Sequence, residues 1–277
     1  MTCRRAFVHA LSVMTMAACT ASARDARDHI ARDTLTITAT NAEFDAPDTV
    51  LAGLTTIRLV TRGDEPHQAA LLRISGGKSY TDFLLALRQP GPPPAWVSVA
   101  GGVNAPAPGG IAEATIALEP GTYAILSFLP TRDGFPQLVK GLRRELIVIP
   151  SRDRGTAEPV ATDTLTASDY AFTNSAAIGA GRHTFLFVNA GPQPHEVAVF
   201  RLASGRSAAD MIGWIAAQTG PAPGVALGGV YALRPDQRAW VTVEFTPGEY
   251  AFICFLPDEH DGRPHHAHGQ IREFTVR

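Results

Sequence analysis

The chain has 277 residues, 45% hydrophobic and 18% charged, with a formal net charge of −2. So mild a charge argues against nucleic acid or an anionic membrane surface as a partner. Its 25 glycines and 21 prolines fit many turns and short strands better than long helices, in either one large domain or two ordinary ones.

In chain order, the first predicted element is an export signal over residues 1–23. Arg4 and Arg5 precede an apolar stretch from Ala6 to Ala18, and Ala21-Ser22-Ala23 offers small residues for cleavage. His9, Ser12 and Thr15 interrupt the stretch, which is too short for a membrane span of ~20 apolar residues. Met16-Ala17-Ala18-Cys19 also reads as a bacterial lipobox, with the signal ending before a lipidated Cys19. Both readings place the product in the periplasm, free or anchored to the membrane facing it. Removing Arg4 and Arg5 from the 24 basic residues leaves 22 against 26 acidic ones, a net of −4. Of the three cysteines, Cys3 and Cys19 belong to the signal segment, so Cys254 stands alone in the exported part. An unpaired thiol in an oxidising compartment is expected to be buried or metal-bound.

Beyond the signal the pattern is β. Thr34–Thr40 and Trp240–Phe245 alternate apolar and polar residues, as strands with one face on a core do. His183–Val188, Glu196–Phe200 and Tyr250–Phe255 are β-branched or aromatic runs bounded by turn residues. A helical period occurs only at Ser79–Leu87 and Ser207–Gln218. In the second, Met211, Trp214 and Ile215 share a face, and Ser207 is the predicted cap with Asp210 three residues on. Trp96 and Trp214 are expected to anchor these insertions to the core.

The chain repeats itself. Gly121–Pro130 matches Gly248–Pro257 at an offset of 127, whereas Pro66-His67 matches Pro194-His195 and Phe44 matches Phe172 at 128. Asp133-Gly134 and Pro136 likewise match Asp261-Gly262 and Pro264. A period this long means tandem domains rather than a solenoid, whose repeats run ~20–50 residues. The predicted boundaries are 33–150 and 163–277, joined by a polar linker at 151–162.

The chemistry concentrates after Cys254, where His265, His266, His268 and Gln270 follow. A soft thiolate, two imidazoles and a weak fourth ligand in a trigonal arrangement favour copper and one-electron transfer. With His195 before it, the set His195, Cys254, His265 and Gln270 resembles the type 1 copper pattern of the cupredoxins, the family of plastocyanin and azurin. The resemblance implies an all-β protein: two tandem Greek-key β-sandwiches, each with a short helical insertion. It also implies copper as cofactor and redox proteins as partners. Two departures stand out. Ten residues separate Cys254 from His265, so that loop is expected to bulge outward. Gln270 replaces the usual methionine, which implies a lower reduction potential.

In the first repeat, Ser127, Gln137 and Leu142 take the places of Cys254, His265 and Gln270, while His67 matches His195. That repeat is expected to be metal-free, with His67 as a hydrogen-bonding loop residue that packs the domains together or presents a partner surface. His260, His266 and His268 are expected to be solvent-exposed, to load copper or to pass electrons. A copper-free binding module or a copper carrier is the competing reading. A multicopper oxidoreductase is disfavoured, because Ile253 and Phe255 flank Cys254 and the one His-x-His is His266-Ala-His268.

Overall fold

The computed structural model describes residues 34–151 and 157–277. The predicted signal with Cys19, and residues 152–156 of the predicted linker, lie outside them. The described residues fall in one compact unit, Arg32–Arg277.

Its first half runs β1 (Thr34–Ala39), β2 (Phe44–Asp45), β3 (Thr49–Leu51), β4 (Gly53–Thr61), β5 (Ala69–Ile74), α1 (Tyr80–Ala86), β6 (Val97–Val103), β7 (Ile111–Leu118), β8 (Gly121–Leu126), α2 (Gln137–Lys140) and β9 (Arg143–Ile149). The second half repeats the order without a counterpart of β3: β10 (Asp163–Ser168), β11 (Ala171–Asn174), β12 (Gly181–Asn189), β13 (His195–Leu202), α3 (Ala208–Ala217), β14 (Gly224–Leu233), β15 (Arg238–Phe245), β16 (Gly248–Ile253), a 3₁₀ turn at His265–His268 and β17 (Ile271–Val276).

The alternation in the sequence becomes two faces. Leu35, Ile37 and Ala39 of β1 point inward while Thr34 and Thr36 face solvent. Phe185, Phe187, Val241, Val243 and Phe245 join them in one core that spans both halves. Strand β13 is buried on both faces, which is why its residues read as a continuous apolar run. Val197 and Val199 enter the main core, and Ala198, Phe200 and Leu202 pack on the far face under Met211 of α3. Helix α1 does the same over Leu72 and Ile74 through Phe83. Both helices start with a reciprocal capping box, Ser79 with Asp82 and Ser207 with Asp210. Trp96 and Trp214 pack against these outer clusters.

The repeated Gly-x-Tyr holds a turn. The Tyr250 hydroxyl donates to Thr246 O at 2.8 Å and accepts from Thr246 N at 3.0 Å. Tyr123 treats Glu119 in the same way, at 2.9 and 3.2 Å.

Both sheets pass through both halves. One is ordered β11-β10-β12-β15-β7-β4-β1-β2, the other β17-β16-β13-β14-β6-β5-β8-β9-β3. They join where β15 pairs with β7 and β14 meets β6, each antiparallel. The partners there are Ala114 with Val241 and Val103 with Val230, each residue facing its own counterpart at the 127 offset. Thr115 with Trp240 and Glu113 with Thr242 complete the pattern, so the halves are related by an approximate two-fold axis. Gly229 lets β14 approach β13 so closely that a Cβ there would sit 1.9 Å from Val197 O, and its φ is +129°. Gly102, its counterpart, stands likewise over Ala69 O.

Candidate metal centre

Cys254 lies one residue beyond β16, where the backbone ties it to the turn that follows. Its N–H donates to Gln270 O at 3.2 Å and its carbonyl accepts from His266 N at 3.0 Å. The turn closes through Gln270 N to His265 O at 3.1 Å. His195 opens β13, directly opposite. These constraints bring all four predicted residues together, with His195, Cys254, His265 and Gln270 fully buried. Nδ1 of His265 is 3.4 Å from Cys254 Sγ, and Nδ1 of His195 is 3.0 Å from Gln270 Oε1. Gln270 Nε2 donates to Ser168 O and Ala171 O, which aims Oε1 into the pocket. Of the histidines in the loop, His265 is the one that enters the cluster with His195 and Cys254. His260 is exposed; His266 lies against Phe255, and His268 packs at a tilt on Tyr170 with ring centroids 4.7 Å apart.

The first half has the same backbone and different side chains. Ser127 N donates to Leu142 O, Leu138 N to Ser127 O and Leu142 N to Gln137 O, bond for bond the pattern around Cys254. Here, however, the Gln137 side chain fills the centre. Its Oε1 accepts from Ser127 Oγ at 2.7 Å and lies 2.9 Å from His67 Nδ1, while its Nε2 donates to Pro66 O at 3.0 Å. Every polar atom has a neutral partner, so nothing there asks for a cation. His67 is fully buried; it packs inside its own half and presents no partner surface, contrary to that part of the sequence reading.

The Cys254–His265 loop puts residues 259–264 at the surface, as the expected bulge does, but one residue of it does not follow. Pro257 bridges Pro264, and Asp258 turns inward. Asp258 Oδ2 accepts from the Tyr170 hydroxyl at 2.6 Å and from Gln193 Nε2 at 2.8 Å, while Oδ1 accepts from the N–H groups of His260 and Asp261. These bonds, the Tyr170 one foremost, hold its carboxyl well below the usual range. Asp258 thereby anchors the base of the loop beside the centre, while residues 259–264 stay exposed. Asp258, Asp261 and His268 form a second acidic group, but the oxygens of Asp258 are already committed to those bonds.

The buried donors suit a soft cation. Burial, then the nearby Glu196 carboxylate, pushes the Cys254 thiol up, and burial pushes the His265 imidazole down, so the metal-free centre holds a neutral thiol and a neutral imidazole. His265 Nε2 is buried without a hydrogen-bond partner. One thiolate sulfur, two imidazole nitrogens and one amide oxygen make a donor set that fits copper. Asp169, Tyr170, Gln193, Glu196 and Asp258 surround it and were not singled out from the sequence. At the 128 offset, the differences from Asn41 to Asp169, Ala42 to Tyr170, Glu65 to Gln193 and Gln68 to Glu196 are the signals that could have drawn attention to four of them.

No protein-family model matches the chain, and no curated protein matches it. Among solved structures, reduced auracyanin from Roseiflexus castenholzii is 21% identical over 41% of this chain and 94% of its own, with a TM-score of 0.31. A multicopper oxidase is 14% identical over 88% of both chains, with a TM-score of 0.26. The copper nitrite reductase of Nitrosomonas europaea is 14% identical over 89% of this chain and 93% of its own, with a TM-score of 0.23. Likenesses at this level leave the function to the chain's own residues. In its own strand order the protein has a cupredoxin-like fold twice over, and its second half alone carries the complete donor set.

Proposed function

We propose that the protein is an exported one-electron carrier with a single type 1 copper held by His195, Cys254, His265 and Gln270. One observation carries this reading: donor atoms of His195, Cys254 and His265 lie within 4.8 Å of one another, fully buried, with Gln270 Oε1 3.0 Å from His195 Nδ1, where the first half has a closed hydrogen-bond network. Copper there would supply a one-electron couple. The chain's part is to hold the donors nearly fixed, through the sandwich, the backbone ties at Cys254 and the loop anchored at Asp258, so that little rearrangement accompanies transfer. Full burial of all four donors favours retention over delivery, and hence an electron carrier over a copper carrier. Redox proteins are the proposed partners, and the periplasm, free or through a lipidated Cys19, is the proposed location.

Loading the full chain with Cu(II) is expected to give one copper per chain and an intense visible band from Cys254 thiolate charge transfer. A colourless loaded sample, or a band that survives Cys254→Ser, would refute the reading. More than one copper per chain would point to an oxidoreductase instead.

A further inference from the structure

We propose that Asp169 is a positioning residue that selects the tautomer of His195, placing the ring proton on Nε2 and leaving the Nδ1 lone pair free for the metal. Asp169 lies between β10 and β11, and its Oδ1 is 2.8 Å from His195 Nε2. Its Oδ2 accepts from Gln193 Nε2 at 3.3 Å, which fixes the carboxylate. Gly191 makes room for the pair: a Cβ there would fall 2.5 Å from His195 Nε2 and 2.8 Å from Asp169 Oδ1. A carboxylate can only accept in this contact, so the bond requires the proton on Nε2.

The sister repeat supplies the contrast. Its counterpart of Asp169 is Asn41, whose Oδ1 lies 3.2 Å from His67 Nε2 and whose amide nitrogen is bonded to Asp64. On the other side of that ring, Gln137 Oε1 stands 2.9 Å from Nδ1 and can only accept. Burial keeps His67 neutral, so its one proton goes to one of two neutral amide oxygens, and the shorter contact favours Nδ1, the atom a metal would need. His195 faces the same choice, because Gln270 Oε1 stands 3.0 Å from its Nδ1. The carboxylate decides it, since a hydrogen bond to a charged acceptor is roughly twice as strong as a neutral one. Once a metal is bound, the same bond makes the imidazole a stronger donor. That part of the inference rests on the copper reading; the tautomer does not.

The test uses the full-length chain as wild type and Asp169→Asn, a change the fold accommodates at Asn41. In the metal-free protein, at a pH where ¹⁵N NMR shows His195 with a single ring proton, that proton should be on Nε2 in wild type and on Nδ1 in the variant. A wild-type proton on Nδ1, or the same tautomer in both proteins, overturns the proposal. Wild type alone decides if the variant does not fold. With copper loaded, the variant should keep its visible band and lose at least tenfold in Cu(II) affinity relative to Cu(I), a rise of about 59 mV in potential. Two coloured proteins with equal potentials would overturn the donor-strength part. A colourless wild type that still shows the Nε2 tautomer would remove the copper reading and leave the tautomer assignment standing.

Discussion

The side-chain amide of Asn104, in the first half, donates to the Glu196 carboxylate in the second at 3.3 Å, and also to Val197 O and Val230 O at 3.1 Å. Glu196 in turn accepts from Phe255 N at 3.1 Å, beside Cys254. The first half therefore helps to hold the strand and the loop that carry two of the donors. Asn104→Ala leaves three buried acceptors short of a donor and should cost about 1–3 kcal/mol of stability. Chemical denaturation of the metal-free protein checks this, and an unchanged midpoint would refute it.

Glu196 makes stability depend on pH. Burial raises its carboxyl from an ordinary 4.5 to about 7, against the opposing bonds from Phe255, Asn104 and Ala232. A raised folded value means that the folded state holds the proton more tightly. This stabilising contribution is fully present below pH 4.5 and is lost as pH rises through 7. At about 1.4 kcal/mol per pH unit, the loss comes to roughly 3 kcal/mol. Denaturation curves of metal-free wild type should show that decline, and Glu196→Gln should flatten it.

Gln270→Met should raise the reduction potential, because a thioether stabilises Cu(II) less than an amide oxygen does. It also removes the donors now given to Ser168 O and Ala171 O, costing about 1–3 kcal/mol. Redox titration reads the first effect and thermal unfolding the second. A potential equal to or below that of wild type would contradict the axial role of Gln270.

Copper uptake should be linked to one proton. The raised Cys254 thiol must ionise to bind, so apparent affinity should climb about tenfold per pH unit across the neutral range. Chelator competition at several pH values measures the slope, and Cys254→Ser should lower it by one.

Much of this was legible in the sequence where the signal is local. The capping pairs Ser79 with Asp82 and Ser207 with Asp210 fix two helix starts, and period-2 alternation marks β1 and β15. Cys254, His265 and Gln270 sit on one strand end and one turn, so their spacing carries their association. Asp169 reaches His195 across 26 positions through a tertiary contact that no spacing rule encodes. The run from Cys254 to His265 reads as a loop that bulges outward, and residues 259–264 are exposed; its charge pattern does not mark Asp258 as the buried one. The inward turn there depends on Tyr170 and Gln193, distant residues that satisfy Asp258. The merging of the sheets was equally hidden, since strand edges carry no residue signature of what pairs with them.

Because Ala114 faces Val241 and Val103 faces Val230, the joint between the halves has the form of an isologous interface, in which one surface is complementary to itself. The tandem chain is in this sense a homodimer made covalent. Each half, released from the other, presents two bare strand edges already shaped for a second copy. The first half alone is expected to self-associate through β7, setting Ala114 against Ala114.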